Sequence, residues 1–348
     1  MNQTDSDEDL LALRELVPPP APRQLGATAL ATGRRRLLAG IDRERSAAAP
    51  RPPRPGTRTL LAGAAACLAL AVGISAVHLS GAPDRRGVPT ASGAPNAASV
   101  PDAAAVAFLG RVAAAAVSAT QPQVRQDQFV YVRSTVRSNT GQLGEAPTVG
   151  AAHDREVWLS QDPSVRGGER NVLREFGQDW ELGYGDGGVP AGLLRPTYAW
   201  LETLPQDPDA LLALLRRESS LVSGQDPDHA AFLAIGQLLA ETVLPPRTAG
   251  TLYTAATRLP GITVVPGVTD AVGRPGFALS HTDTSTPVQV RAEWIFSRDE
   301  LTYLGSRSFF VGRDGTPDQL VGADAVLERA VVDEPGQAPA PAANGTGA

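Results

Sequence analysis

The longest uninterrupted apolar pattern in the chain runs from Thr59 to Leu79 and reads TLLAGAAACLALAVGISAVHL, without one charged side chain. A helix of about 20 mainly apolar residues crosses the hydrocarbon core of a bilayer, so this run is long enough for one transmembrane helix. A cleaved signal peptide is the nearest alternative, but a whole signal peptide has about 15–30 residues, far fewer than precede this run. The pattern therefore predicts an uncleaved membrane anchor over residues 59–79.

Before this span, apolar residues recur at helical spacing in two short segments. The first segment ends at Pro18, because proline lacks an amide donor and restricts the residue before it. The second runs from about Arg23 to Arg45. Two such helices bury too little surface to be stable alone. We therefore expect residues 1–58 to form a helical cytoplasmic tail that binds a partner through its apolar positions, which are Leu10, Leu13, Leu16, Val17, Leu30, Leu37, Leu38 and Ile41.

Charge along the chain predicts how the protein lies in the membrane. Residues 1–58 carry a net charge of +3 and residues 102–332 a net charge of −8, within a total of −6. Basic residues beside a span stay on the cytoplasmic side, so the tail is expected inside and the bulk of the chain outside the cell membrane. The acidic total argues against direct binding of nucleic acid, which leaves a basic footprint.

The Arg-rich tail has two possible binding partners, a lipid surface or a protein. Its helices could lie on the inner leaflet, where anionic lipid attracts basic amphipathic segments. They could instead dock a cytoplasmic protein, as the tails of membrane-bound anti-sigma factors do. The pattern alone does not separate the two.

The outer part begins with a Gly/Pro/Ser/Ala linker over residues 80–101. An Ala-rich helix is predicted from Asp102, its N-cap, to about Thr120. Two Asp-Pro-Asp triplets, beginning at Asp207 and Asp226, each predict a helix start with a capping acid and a proline at the first helical position. Capping explains both triplets better than metal binding does. A further helix is predicted at about 247–258.

Between and after these helices the pattern is typical of strands. Residues 128–136 and 155–160 are rich in β-branched and aromatic side chains, and residues 288–296 alternate between apolar and polar. Further strands are expected at 262–265, 277–280 and 303–311. The sequence therefore predicts an α+β domain over residues 102–332, an antiparallel meander sheet with packed helices, and a disordered tail over 333–348.

Motifs that carry chemistry are scarce. The chain contains no G-x-S-x-G, H-E-x-x-H or Walker sequence, and its single cysteine, Cys67, lies within the predicted span. His153, His229 and His281 each have an aspartate nearby, but we expect surface positions for His153 and His229. The sequence thus predicts no enzyme, no catalytic residue, no cofactor and no metal. A cluster of aromatic residues is assigned to the core rather than to a ligand groove, namely Trp158, Trp180, Tyr184, Tyr198 and Trp200.

Four segments carry a resemblance to a known family. They are RPTYAWLETLPQDPDALL from Arg195, AAFLAIGQLLAETVLPPRTAGTLYTAATRLPGITVVPGVTDAVGRPG from Ala230, EWIFSRDELTYLGSRSFFV from Glu293 and AVVDEPGQ from Ala330. These segments resemble a family of single-span membrane proteins of actinobacteria, over about residues 100–335. The family's members look like neighbours of extracytoplasmic-function sigma factors, which implies a sigma factor as the cytoplasmic partner. The architecture also resembles the lipoprotein-carrier type of fold, with helices over one face of a sheet.

Three functions are weighed on these grounds. The preferred one is a non-enzymatic, anti-sigma-like regulator whose outer domain senses an envelope ligand. The alternative is a carrier or binding module for envelope lipid or cell-wall material, with the tail as an anchor only. An envelope hydrolase would require a constellation of Ser or His residues that the sequence does not show.

Overall fold

The computed structural model describes residues 102–339, except for residues 121, 142–145, 184–187, 224–225 and 314. The predicted tail, transmembrane helix and linker, and with them all eight candidate partner-binding residues, lie outside the described residues. Among the helices of the described part, none is long and apolar enough to cross a membrane.

In this part of the chain nine strands form one antiparallel sheet. Its order is β4-β3-β2-β1-β9-β8-β7-β6-β5, so two meanders meet where the last strand, β9, pairs with the first, β1. The prediction of an α+β domain with an antiparallel sheet is confirmed. The strands are β1 Phe129–Ser138, β2 His153–Ser160, β3 Asn171–Glu175, β4 Gln178–Leu182, β5 Thr263–Thr269, β6 Pro275–Asp283, β7 Val290–Ser297, β8 Tyr303–Phe310 and β9 Gln319–Val332.

Helices stand before the sheet and between its two meanders. Helix α1 is Ala103–Ser118, and four more follow β4: α2 Tyr198–Glu202, α3 Pro208–Ser223, α4 Pro227–Glu241 and α5 Pro246–Ala256. The Asp226 carboxylate accepts from the amides of Asp228 and His229, and Asp207 accepts from the amide of Ala210. Asp102 caps α1 in the same way. These contacts confirm the predicted helix starts.

The helices cover one face of the sheet and build the main core with it. That core joins Leu109 of α1, Leu211 and Leu215 of α3 and Ile235 of α4 to inward-facing strand residues such as Val132. Two smaller apolar clusters lie on the opposite face, around Trp158 and around Ile295. Of the five clustered aromatic residues, Trp158 is buried and Trp180, Tyr198 and Trp200 pack against the main core, which confirms the core assignment for these four; Tyr184 lies outside the described residues.

Close packing holds α4 on the sheet. The ring of Phe232 stacks on Trp294 of β7, with centroids 3.9 Å apart and an interplanar angle of 6°. One turn later, a Cβ atom at Gly236 would lie 2.5 Å from the Trp294 Nε1 atom. Any larger residue at position 236 would therefore push α4 away from β7.

A bulge in β9 decides which of its side chains face the helices. The register of β1 and β9 shifts between Arg133 and Ser134, so that Val132 lies opposite Arg329 and Ser134 lies opposite Val326. Residues directly opposite each other in an antiparallel pair share a face. The bulge therefore puts both Val326 and Arg329 on the helix face, although they are three residues apart.

Several predictions about the sheet were incomplete or wrong. The strands β3, β4 and β9 were not predicted. Val288 lies outside β7 and is exposed, whereas Glu293, expected on the polar face of that strand, is buried. Contacts also extend beyond residue 332, since the Trp158 Nε1 atom donates to the carbonyl of Gln337.

Candidate functional site

A cavity of about 330 Å³ lies between the helices and the sheet of the described domain. We call it the helix cavity. Its wall comes from α1, from the end of α4 and the segment after it, from α5, from the β7–β8 turn and from β9. Volumes of about 300–1,000 Å³ are usual for small-molecule sites, so this one is at the lower end of that range. Residues that shape it are Val112, Leu239, Val243, Tyr253, Tyr303 and Arg329.

Local sequence explains why space remains there. Helix α4 ends at Glu241, and Thr242 has an extended backbone. Leu244 precedes Pro245, and a residue before proline is held in an extended conformation. The chain therefore runs out from α4 before α5 begins at Pro246. Small side chains form part of the wall on the facing helices, namely Ala115 and Ala116 of α1, Ala119 directly after it and Ala249 of α5.

The inner end of the helix cavity carries the guanidinium of Arg329, a half-buried residue whose Nε atom is fully buried. An Arg329 Nη2 hydrogen is donated to the carbonyl of Leu239, and the guanidinium lies 5.9 Å from the centre of the Tyr303 ring. Its Nε atom is buried without a hydrogen-bond partner among the described residues, and the buried Tyr303 hydroxyl interacts with the side chain of Ser306. Burial lowers the pKa of Arg329 and raises that of Tyr303 well above its usual value.

A second, smaller cavity of about 50 Å³ lies between α4 and the central strands, and we call it the polar cavity. Glu293, which is 1% exposed, accepts from Arg307 Nε at 2.5 Å and lies 3.0 Å from Arg291 Nε. Arg155 Nη1 lies 3.5 Å from Glu241 at the end of α4. Charges of opposite sign are therefore paired around this cavity.

Two carboxyl groups of the polar cavity are strongly affected by burial. Burial raises the pKa of Asp324 to about 6, although the Ser306 hydroxyl donates to it and partly opposes that shift. Burial also raises the pKa of Glu241, against the attraction of Arg155, and the nearby charge of Asp324 adds to the rise.

The structure brings together two histidines that the sequence analysis treated separately. The Nδ1 atoms of His229 and His281 are 3.0 Å apart, and both rings are buried. The surface position expected for His229 is wrong, because the first turn of α4 packs against β6. Burial is the main cause that lowers the pKa of His229, to about 4, and that of His281. His153 is half-buried at the start of β2 and stacks on Phe176.

Hydrogen-bond partners assign the tautomers of this pair. His281 Nε2 lies 3.1 Å from the carbonyl of Pro260, which can only accept, so Nε2 carries the hydrogen. In a neutral ring the Nδ1 atom of His281 then accepts, and His229 Nδ1 donates to it. Neither ring lines the helix cavity or the polar cavity. The pair is therefore part of the packing between α4 and β6, next to the stacked ring of Phe232.

Sequence reasoning did not identify the residues of the helix cavity. Tyr303 was predicted only as the start of a strand, and Tyr253 and Arg329 were not singled out. The sequence does carry a signal for Arg329, because the charged pair Glu328-Arg329 interrupts an otherwise apolar run from Ala325 to Val332. A charged residue in a central strand is usually exposed, or paired where it is buried.

Comparison with known proteins adds little to this geometry. The sequence matches no protein-family model and no curated protein, so the resemblance to the actinobacterial family stays a prediction. A chain in the crystal structure of MucB in complex with MucA(peri) is similar, at 16% identity over 68% of this chain. The match spans 57% of that chain with a TM-score of 0.22, and at that TM-score it carries no argument about function.

Proposed function

We propose that the described domain is a non-enzymatic binding module, outside the cell membrane, that holds an apolar ligand in the helix cavity. The observation that carries this proposal is the cavity itself, about 330 Å³ with a largely hydrophobic wall. Cavities of this kind, with a few polar groups at one end, are the usual form of a small-molecule site. The most perturbed imidazoles lie apart from this cavity, which supports binding rather than catalysis.

Sensing is the role that we propose for this binding. The α1 helix follows the predicted linker and anchor directly, and α1 forms one wall of the helix cavity. A ligand that fills the cavity contacts the element nearest to the membrane in sequence. In the sensor proposal this contact changes how the cytoplasmic tail engages a sigma factor, whereas a carrier would only release its ligand elsewhere.

A photolabelling experiment tests the binding proposal on the full-length chain in its native membrane. A long-chain alcohol that carries a photoactivatable group should label peptides that contain Leu244 and Tyr253. Replacing Ala116→Leu, which puts new atoms into the cavity, should lower this labelling at least about tenfold, since each excluded methylene contact is worth about 0.8 kcal/mol. The matched control is Ala114→Leu, an exposed position on the same helix outside the cavity wall. Equal labelling of both variants would contradict the proposal.

The sensor role has its own test. A tail peptide of residues 1–58 should bind a purified extracytoplasmic-function sigma factor from the same genome, and Leu13→Asp and Leu38→Asp should weaken that binding. If the peptide binds anionic vesicles but no such sigma factor, the tail is an anchor and the carrier role is preferred.

A further inference from the structure

We propose that the helix cavity selects an anionic amphiphile with one hydrocarbon chain, whose charged head group binds Arg329. This inference rests on the proposed function, because it names the class of ligand for the same cavity.

The first argument is that Arg329, which is half-buried, has no ion pair among the described residues. Asp324 acts on its charge only from beyond ion-pair distance. The guanidinium is held by one backbone carbonyl and by the ring of Tyr303, while its Nε atom has no partner. A buried ion without a counter-ion is costly, and a bound anion would offset that cost.

The second argument concerns geometry. A guanidinium presents five donors in a planar fork that fits a carboxylate or a phosphate. One of the Arg329 donors is used by Leu239, and the Nε hydrogen points to no described acceptor. An anionic head group at this end of the cavity therefore lies beside a guanidinium that keeps donors not used by Leu239.

The third argument fixes the direction of the ligand. The walls near Arg329 are buried, as at Leu239 and Tyr253, whereas the rim contains the exposed residues Ala119 and Glu300. Glu300 repels an anion at the rim, and Arg329 attracts it at the inner end. The volume of about 330 Å³ is small for a site, which favours a single chain over several.

The experiment compares two photoactivatable probes of equal chain length, a fatty acid and the corresponding alcohol, on the full-length chain in lipid nanodiscs. In the natural protein the acid should label the cavity peptides about tenfold or more above the alcohol. Arg329→Met should abolish that preference while alcohol labelling persists, and Arg329→Lys should keep part of it. Arg111→Met removes an exposed arginine of α1 outside the cavity wall and should change nothing.

Each other outcome has a definite meaning. Equal labelling by acid and alcohol in the natural protein overturns this inference and leaves the proposed function standing. Labelling by neither probe overturns the proposed function itself. If Arg329→Met reduces labelling by both probes equally, together with the melting temperature, Arg329 is only a structural residue and the inference fails. If acetate or inorganic phosphate, which have no hydrocarbon chain, compete with labelling by the fatty acid, the site binds a free anion. That result would also overturn the proposal that the ligand is an amphiphile.

Discussion

Helix α4 borders two cavities whose charged side chains are arranged differently. Around the polar cavity Glu293 has two arginine partners and Arg155 lies beside Glu241. In the helix cavity Arg329 has a backbone carbonyl and an aromatic ring but no described carboxylate. The set of charges around Glu293 and the Arg329 guanidinium lie on opposite faces of the sheet, because Glu293 shares its face with Ile295, away from the helices, whereas Arg329 lies opposite Val132 on the helix face.

This difference indicates different roles for the two sets. Paired buried charges contribute little net stability, yet breaking one pair is expensive because it leaves a buried charge alone. A cation that is already alone costs stability in the resting protein and gains from any anion that reaches it. The paired charges are therefore expected to stabilise the sheet and, through Arg155 and Glu241, the end of α4, whereas the helix cavity is expected to bind a ligand.

The largest expected effect comes from breaking a pair in the polar cavity. Glu293→Ala leaves Arg307 and Arg291 without their shared buried acceptor and should lower the free energy of unfolding by about 3–5 kcal/mol. Glu328→Ala is the matched control, because Glu328 pairs with Arg133 where both side chains are more than one third exposed. Its loss should cost at most about 1 kcal/mol in chemical denaturation. Similar losses of unfolding free energy for both variants would show that the burial of Glu293 does not increase its contribution to stability.

The next effect depends on pH. The pKa of Asp324 is about 6 in the folded protein against 3.8 ordinarily, so the folded state binds more protons between these values. Stability from this group is therefore present at low pH and lost as the pH rises through about 6. Asp324→Asn removes that loss and should stabilise the protein by up to about 3 kcal/mol at pH 7.5, with no gain near pH 4.

Denaturation at both pH values checks this prediction. The control Asp299→Asn lies in the exposed β7–β8 turn and should give the same small change at each pH. If Asp324→Asn stabilises the protein equally at both pH values, the carboxyl group of Asp324 does not titrate between them.

Local signals in the sequence predicted the helices well. Each of α1, α3 and α4 begins at an aspartate whose side chain caps it, and the capping residue and the apolar stripe lie within a few positions of each other. The strand β7 and its partner β8 were found by alternation and by a turn. These features depend on neighbours in the chain, which is why a single sequence shows them.

The candidate site depends on contacts between distant residues, and the sequence did not show it. β9 contains Asp324, Glu328 and Arg329 among good helix formers, and its strand conformation comes from pairing with β1 and β8 on both sides. Strict alternation from Val326 would put Arg329 on the face away from the helices, and only the bulge reverses this. His229 was misplaced for a similar reason, since its burial comes from the packing of α4 on β6.

The smallest expected effect is the sharpest test of the comparison between the cavities. The same change, Arg→Met, is made once in each cavity. Arg307→Met leaves the buried Glu293 with one partner and should cost about 2–3 kcal/mol. Arg329→Met loses the bond to Leu239 but also removes a buried charge without an ion pair, so the two effects should offset each other to within about 1 kcal/mol. Urea denaturation of both variants measures the difference in unfolding free energy. An equal loss for the two variants would mean that Arg329 is as firmly paired as Arg307. The helix cavity would then contain no unpaired charge that could bind an anionic ligand.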